Sequence, residues 1–382
     1  MRTVHENEIA GIRWIHVTGE RRTVFRELGS HMSNEIRSVQ AAMPETDGLR
    51  RWAETQDGQQ RLEQLVSATS QHHVSELAEL EALATGSGVS YQDLLLANLR
   101  GDIGVPDGTG CSDLAWRGTG AFIAHNEDGA PALRDHLTLV TLHIDGDAPV
   151  TAQWYPGFLP SNAFAANGHG LAWGINHIQV RKPAVAAGRH FVARALQQCT
   201  TIDAVVDYLR QTPSAGGFTY TIAEQATGRI VVVEAAGQQI DVHDVPPRSL
   251  AWHTNHLRRL PHEIDRDTCE ADSTSPTRQL GSYDESTRRG ATLQRITAPR
   301  HEPDLDWFVD HLTTKPESGG VLRTAAGDDP LMTLCTIAID LANKQVAIKG
   351  NNRPRESIDF NDLTTDVPYY ERDPSTRLVS PT

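Results

Sequence analysis

A glycine followed by a cysteine, Gly110-Cys111, lies where the sequence changes from a helical to a strand-like pattern. Cleavage of the bond between them would give Cys111 both a thiol nucleophile and a free α-amine. An α-amine has a pKa of about 7.7–8.0, so near neutral pH it can accept the proton of the neighbouring thiol. We therefore hypothesise that the chain cleaves itself at this bond and that Cys111 then attacks amide bonds.

Three further polar residues at predicted strand ends could assist such a nucleophile. Asp128 follows Cys111 by seventeen residues, and two neighbouring strands of a hairpin would bring its carboxylate close to the α-ammonium. Asn176 and Asn255 each end a strand-like segment, and a side-chain amide can stabilise an oxyanion without titrating. Each residue also has an ordinary explanation, because Asn-Glu-Asp-Gly is common turn chemistry and asparagine is frequent at strand ends.

The elements that must position these residues differ between the two parts of the chain. Apolar residues recur at three- and four-residue steps in the first part, which predicts helices over 22–40, 61–84 and 92–98 after one strand at 9–17. The second part contains two predicted helices, one around 189–211, whose second half Thr201 could cap, and a short one near 286–296. Its predicted strands are 119–126, 137–145, 150–155, 163–167, 170–176, 218–224, 229–235, 239–243, 249–253, 331–339 and 345–349.

These patterns predict two parts of unequal size. Residues 1–110 form a mainly helical segment, and residues 111–382 form a strand-rich core. Within the core, a polar excursion at about 258–290 has no clear period and could serve as a lid.

The composition excludes several classes of protein. Hydrophobic residues make up 38% of the 382 residues and charged residues 22%, which is typical of a soluble globular protein. The net charge of −14 argues against a nucleic-acid partner, because phosphate contacts need a basic face. No apolar run approaches the ~20 residues of a membrane helix, and the first residues lack an apolar signal region. We therefore expect no membrane partner and a cytoplasmic location.

The sequence gives little support for a metal site or for a redox function. Four cysteines, at 111, 199, 269 and 335, include no C-x-x-C pair. His125, Glu127, His253 and His256 form pairs, but these lack the helical spacing of a metalloprotease motif. We therefore predict no metal and no cofactor. A papain-like enzyme that uses one of the 17 histidines as its base remains an open alternative.

Several short segments, taken together, resemble one known family. They are Gly19-Glu20-Arg21-Arg22, Asn98-Leu99-Arg100, Gly110-Cys111-Ser112, Asn126-Glu127-Asp128, Asn167-Gly168-His169-Gly170-Leu171, Gly174-Ile175-Asn176 and Thr254-Asn255-His256, with weaker matches at 286–289 and 322–324. Over about residues 10–350 the chain resembles the penicillin acyltransferase-like family of cysteine N-terminal-nucleophile hydrolases, which are relatives of bile salt hydrolases and penicillin V acylases.

The resemblance implies a fold and a maturation step. The implied fold is an α+β four-layer αββα sandwich, the N-terminal-nucleophile hydrolase fold, with a helical N-terminal segment. The chain would be made as a precursor and cut between Gly110 and Cys111, and the small chain would stay tightly associated. By position, Cys111 resembles the nucleophile and Asp128 the carboxylate near its amine. Asn176 and Asn255 resemble the asparagines beside the oxyanion and the amine.

Three further residues are candidates for substrate binding. Arg323 resembles an arginine of the family's pocket, although the flanking Cys-Arg-His pattern is absent here. His125 and Asn126 precede Asp128, and the bile salt hydrolase branch has arginine where this chain has His125.

The expected activity is hydrolysis of a small linear N-acyl amide through a Cys111 acyl-enzyme. Acyl transfer from a thioester or amide to an amine in secondary metabolism is the alternative. A non-catalytic binding protein that keeps the fold is an alternative of another class. The expected partners are a small-molecule amide and the chain's own cleaved segment, and homo-oligomerisation is left open.

Overall fold

Two β-sheets stack face to face between two layers of helices, in a computed structural model that describes residues 4–103, 110–265 and 283–364. One apolar core fills the space between the sheets. Two more clusters pack helices against the outer face of the larger sheet, and a fourth packs helices against the smaller sheet. The predicted α+β class and the αββα layering are confirmed.

The N-terminal part is a β-hairpin followed by six helices. β1 (Val4–Ile9) and β2 (Ile12–Gly19) turn at Ala10 and Gly11, whose φ angles are 50° and 75°. The helices are α1 (Arg21–His31), α2 (Ser33–Ala42), α3 (Thr46–Ala53), α4 (Gln56–Ser70), α5 (Val74–Ser87) and α6 (Tyr91–Leu99). The prediction of a single strand at 9–17 was wrong, because the chain reverses at this turn.

The predicted helices over 22–40 and 61–84 are each two helices. The first breaks at Met32 and the second between α4 and α5. Leu28, Met32 and Ile36 nevertheless pack in one apolar cluster. Because both halves of each predicted helix bury apolar residues against the same sheet, the apolar period continues across the break and does not reveal it.

The described residues of the second part form the remaining strands and five α-helices. The strands are β3 (Gly110–Arg117), β4 (Ala121–Gly129), β5 (Thr138–Ile144), β6 (Val150–Trp154), β7 (Ala165–Asn167), β8 (Leu171–Ile178), β9 (Gly217–Glu224), β10 (Arg229–Ala236), β11 (Gln239–Asp244), β12 (Ser249–His253), β13 (Met332–Asp340), β14 (Gln345–Gly350) and β15 (Glu356–Asp359). The helices are α7 (Arg189–Leu196), α8 (Ile202–Gln211), α9 (Tyr283–Gln294), α10 (Leu305–Thr313) and α11 (Phe360–Thr364). Thr201 accepts the Ala204 N–H at 3.1 Å, which confirms the predicted cap.

The larger sheet has the order β1-β2-β5-β6-β7-β8-β9-β10-β11, and the smaller has the order β12-β3-β4-β13-β14-β15. β2 and β5 pair in parallel, and the other described strand pairs are antiparallel. β3 and β4 lie inside the smaller sheet, and their inner face is covered by β8. A Cβ at Gly174 on β8 would contact Asp113 on β3 and His125 on β4.

The N-terminal segment is built into the same sandwich as the core. β2 pairs with β5 over Trp14–Gly19, and the Glu79 carboxylate accepts a hydrogen bond from Arg194 Nε at 2.9 Å. Asn98 Oδ1 also accepts the Leu159 N–H at 2.8 Å. Most of the predicted excursion at 258–290 lies outside the described residues. Among the described helices, none has the length and apolar character needed to cross a membrane.

Candidate active site

Cys111 is the second residue of β3 and is buried, with three of its groups held by side chains. Its backbone N–H donates to Asn255 Oδ1 at 3.0 Å, and its thiol donates to Glu127 Oε2 at 3.5 Å. Its carbonyl accepts a hydrogen bond from Arg289. The nitrogen and the sulfur of Cys111 therefore each lie beside an oxygen acceptor.

The register of the β3–β4 hairpin decides which residue meets the thiol. Gly110 pairs with Asp128, and Cys111 pairs with Glu127. The expectation that the hairpin brings Asp128 to the start of the first strand is confirmed. Side chains of directly paired residues lie on the same face of a sheet, and neighbours along a strand lie on opposite faces. Glu127 thus shares the inner face with Cys111, and Asp128 lies on the outer face.

A buried hydrogen-bonded network leads away from the thiol on the inner face. His125 Nε2 is 3.0 Å from Glu127 Oε2, and His125 Nδ1 is 2.7 Å from Asp113 Oδ1. Tyr155 donates its hydroxyl to Glu127 Oε1 at 2.8 Å. Asp113, His125 and Glu127 are each at most 1% exposed. The four residues form a continuous polar chain that ends at the sulfur.

The charges in this network fix the protonation of its members. Burial alone would lower the pKa of His125, but hydrogen bonds to Asp113 and Glu127 outweigh it and raise that pKa to about 9. Burial raises the pKa of the Cys111 thiol well above its ordinary value, and the carboxylates of Glu127, Asp128 and Asp113 raise it further. In the intact chain the thiol is therefore protonated near neutral pH and the imidazole is charged.

Asp128 and Arg323 flank Gly110 on the outer face. Asp128 Oδ1 accepts the Thr333 hydroxyl at 2.7 Å, and its Oδ2 is 3.9 Å from Arg323 Nη1. Burial raises the pKa of Asp128 to about 6, although Arg323 acts in the opposite direction. A Cβ on Gly110 would collide with Arg323 Nη1. The close approach of this arginine therefore requires glycine at position 110.

Asn255 and Arg289 form a bridge over the Cys111 backbone. Arg289 Nη2 donates to Asn255 Oδ1 at 2.8 Å, and Arg289 Nη1 donates to Ser112 Oγ at 2.8 Å. Asn255 in turn donates to the His177 carbonyl at 3.1 Å. Glu285 holds the arginine through hydrogen bonds at 2.7 and 2.9 Å. This bridge connects α9 and the segment after β12 to the nucleophile.

The other two predicted asparagines have opposite surroundings. Asn176 lies on β8 on the same face as Gly174, and its amide is buried without a hydrogen-bond partner in the described structure. Asn126 donates to the Leu312 carbonyl at 2.8 Å and accepts from Thr336 at 2.6 Å. The structure does not bring Asn126 to the thiol, because its side chain lies on the outer face beside α10.

Sequence reasoning gave no catalytic role to four residues of the site: Asp113, Glu127, Tyr155 and Arg289. It considered Glu127 only as a metal ligand. The first two lie two residues from Cys111 and His125, so the hairpin register would have placed them on the inner face. Tyr155 follows β6 directly, and Arg289 lies on α9 within the weakly matching segment 286–289. Neither was given a role there.

Cys111, His125 and Glu127 offer atoms that lie within 4.8 Å of one another, a separation that a metal ion can bridge. The same atoms are already joined by hydrogen bonds at 3.0 and 3.5 Å, with Asp113 and Tyr155 completing the set. These bonds account for the arrangement, and we assign no metal to it.

The model of the acyl-coenzyme A:6-aminopenicillanic acid acyl-transferase family matches residues 116–354. The chain belongs to this family. Membership makes it an enzyme that hydrolyses amides or transfers acyl groups. The matched range includes Asp128, Asn176, Asn255 and Arg323, and it begins five residues after Cys111.

Two hydrolases are among the solved structures to which the chain is similar. A mutant conjugated bile acid hydrolase from Clostridium perfringens is 12% identical with a TM-score of 0.41, covering 68% of this chain and 94% of that one. Penicillin V acylase from Agrobacterium tumefaciens is 14% identical with a TM-score of 0.38, covering 68% and 89%. Among curated proteins none matches the chain. The assignment to the acyl-transferase family rests on the family match alone.

Proposed function

We propose that this enzyme cleaves its own Gly110–Cys111 bond and then hydrolyses a small linear N-acyl amide through a Cys111 acyl-enzyme. The observation that carries the proposal is the arrangement around Cys111. Its thiol has a proton acceptor at 3.5 Å, and its backbone nitrogen lies 3.0 Å from Asn255 Oδ1. The nitrogen that cleavage would convert to an α-amine is thus already held beside the nucleophile.

In the self-cleavage step, the base must be a group other than the α-nitrogen, because that nitrogen is still an amide. Glu127 Oε2 is the acceptor within reach of the sulfur, and it takes the thiol proton as the sulfur attacks the Gly110 carbonyl carbon. The C–N bond then breaks, the nitrogen of Cys111 takes a proton, and a thioester forms. Water hydrolyses the thioester, which frees the thiol and leaves a carboxylate on Gly110. Arg323, packed against Gly110, favours the negative charge that develops there.

In the mature enzyme, the new α-amine takes the thiol proton and the thiolate attacks the substrate amide. Asn255 holds the amine. Asn176, whose buried amide has no partner in the described structure, donates to the oxyanion of the tetrahedral intermediate. Water then releases the acyl group. Arg323 remains beside the site of cleavage and binds the new carboxylate or the substrate, and Asp128 stays next to it, hydrogen-bonded to Thr333.

Acyl transfer is the second candidate activity, and the family name favours it. It differs from hydrolysis only in the acceptor, because an amine rather than water would attack the acyl-enzyme. A panel of N-acyl amides and thioester donors, each tested with and without an amine acceptor, separates the two. We expect the free acid as the main product in both arms, and an amide product with the acceptor would establish transfer.

A papain-like mechanism makes a different prediction. In such an enzyme a histidine would take the thiol proton directly, and no cleavage would be needed. In the described residues the hydrogen-bond partner of the Cys111 sulfur is Glu127 Oε2, and His125 Nε2 contacts that same oxygen at 3.0 Å rather than the sulfur. An uncleaved chain with full activity would support the papain-like reading.

Replacement of Cys111 by alanine tests the proposal. A chain of 41.9 kDa cut after residue 110 gives fragments of about 12 and about 30 kDa in proportion to length. We expect these fragments from the wild type and a single uncut band from Cys111→Ala on a denaturing gel. Cys199→Ala is the matched control, because it removes a half-buried thiol elsewhere in the fold and should leave cleavage unchanged. Cleavage of the Cys111→Ala chain at the same bond would refute the mechanism.

A further inference from the structure

A cavity of about 340 Å³ lies between β13, β14 and the segments that precede β13. Its volume falls in the range of small-molecule sites, which is about 300–1,000 Å³. Among the described residues, four threonines, two asparagines and three cationic residues line it, and none of the described lining residues carries a carboxylate. The cations are Lys315, Arg323 and Lys349.

The positive charge of this lining contrasts with the negative net charge of the whole chain. The protein has 49 acidic and 35 basic residues, and only four of the basic residues are lysines. Two of those four lysines line this one cavity. Neither the Lys315 nor the Lys349 ammonium group pairs with a carboxylate of the residues that the structure describes. Both residues line the cavity without an ion-pair partner among the described residues, and Lys315 is exposed whereas Lys349 is half-buried.

Arg323 joins the wall of the cavity to Gly110. This side chain is 3% exposed, and Asp329 holds its Nε at 2.9 Å. Its Nη1 is 3.5 Å from Glu285 and 3.9 Å from Asp128, yet it makes no hydrogen bond with a described residue. Because Nη1 is buried against Gly110, we assign it no contact with a ligand in the cavity.

The cavity adjoins the proposed site of cleavage. Arg323 Nη1 packs against Gly110, and Thr333, which also lines the cavity, donates to Asp128 at 2.7 Å. Asp128 pairs with Gly110 across the hairpin. A ligand in this cavity would therefore reach the residue that precedes the nucleophile through two side chains.

We propose that this cavity binds the anionic group, a carboxylate or a phosphate, of the enzyme's substrate. Lys315 and Lys349 supply the positive charge, because the ammonium group is a compact partner for either anion. Thr324 and Asn352 add polar side chains to the lining. The hydroxyls of Thr313, Thr333 and Thr336 already donate to Val309, Asp128 and Asn126. The assignment of this cavity as a substrate subsite rests on the proposed function. It narrows the substrate to amides or thioesters that carry an anionic group.

The first experiment measures binding without catalysis. The full-length Cys111→Ala chain is titrated by calorimetry with inorganic phosphate and, separately, with glutarate, at constant ionic strength. We expect saturable binding of at least one probe, and the two arms show which anion the cavity prefers. Lys315→Ala/Lys349→Ala should weaken that binding by at least about tenfold.

The other two lysines provide a matched control. Lys182→Ala/Lys344→Asn removes the same number of charges elsewhere on the chain. Asparagine is chosen at 344 because that residue has a φ of 54°, which asparagine tolerates. This control should bind the probe as tightly as the Cys111→Ala parent. Failure of both probes to saturate, or equal weakening in the two double variants, would overturn the proposal.

The second experiment separates this proposal from the proposed function. Wild type and Lys315→Ala/Lys349→Ala are assayed with N-acyl amides that differ only in a carboxylate and its neutral amide. We expect the double variant to lose at least about tenfold in kcat/KM for the anionic substrate and to keep self-cleavage and turnover of the neutral one. If the double variant cleaves itself and keeps the wild-type preference for the anionic substrate, the anion site alone is overturned. Anion binding by a wild-type chain that never cleaves itself would overturn the proposed function alone.

Discussion

Glu127→Gln removes the carboxylate nearest to the Cys111 thiol and keeps a side chain of the same size. Two unit charges 3.5 Å apart interact by about 5 kcal/mol at an effective dielectric constant of about 20. The Glu127 carboxylate therefore opposes formation of the thiolate, and it is one cause of the raised Cys111 pKa. If this repulsion were its whole effect, Glu127→Gln would make deprotonation easier and self-cleavage faster.

A role as base predicts the opposite effect on the rate. Loss of a positioned base typically costs about 10²–10⁴-fold, which is about 3–5 kcal/mol of barrier. The two effects are similar in size, so the rate at a single pH does not separate them. The pH dependence does, because the wild type transfers the proton from Cys111 to Glu127 within the site. Its rate should vary little from about pH 6 to about pH 8, whereas hydroxide must act in Glu127→Gln and give about tenfold per pH unit.

The assay follows self-cleavage of freshly synthesised chain. Wild-type and Glu127→Gln precursors are made by cell-free translation, and the uncut fraction is followed on denaturing gels at several pH values. Glu224→Gln is the matched control, since it makes the same change at a buried carboxylate whose described partners are Ile202 and Thr227. A Glu127→Gln chain that cleaves as fast as the wild type, with the same flat pH profile, would refute the role of Glu127 as base.

Three other predictions concern stability and assembly. The first is measured by urea unfolding in the Cys111→Ala background. There Asp128→Asn should raise the free energy of unfolding by up to about 3 kcal/mol near pH 7, and by little below about pH 4. The reason is that the pKa of Asp128 is raised to about 6 from 3.8, so the folded chain binds more protons between these values and loses stability as the pH rises through them. Asn176→Leu should raise the free energy of unfolding by about 1–3 kcal/mol, because it removes a buried amide that has no hydrogen-bond partner in the described structure. The same change should lower kcat by about 10²–10³-fold. A loss of stability with unchanged turnover would contradict this prediction. The cleaved protein should elute from gel filtration as one species containing both fragments, because β2 pairs with β5 and Glu79 pairs with Arg194; separation of the fragments without denaturant would contradict it.

The layering and most strand positions could be predicted from the sequence because apolar alternation and turn residues mark them locally. The predicted strand 239–243 and β11 differ by one residue at one end, and 249–253 matches β12. Breaks within helices could not be predicted in this way. Residues on both sides of Met32 face one core, so the sequence period is the same whether the helix is broken or continuous.

The site shows the same limit at the level of single residues. Position and chemistry marked Cys111 and Asp128, and the structure pairs their strands. The side chain that contacts the thiol is Glu127, between the two residues that the resemblance singled out. A shift of one residue in register exchanges the faces of a strand, so only the pairing shows that Asn126 faces α10 and Glu127 faces the sulfur.

The central claim is that the chain cuts itself between Gly110 and Cys111, and intact-mass measurement of the purified wild-type protein tests it most directly. The protein is expressed and purified with protease inhibitors, and the fragments are also sequenced from their N-termini. We expect two masses that sum to the full chain plus one water, with the larger fragment beginning Cys111-Ser112-Asp113. A single uncut mass in fully active protein, or a larger fragment that begins at any other residue, would contradict the account.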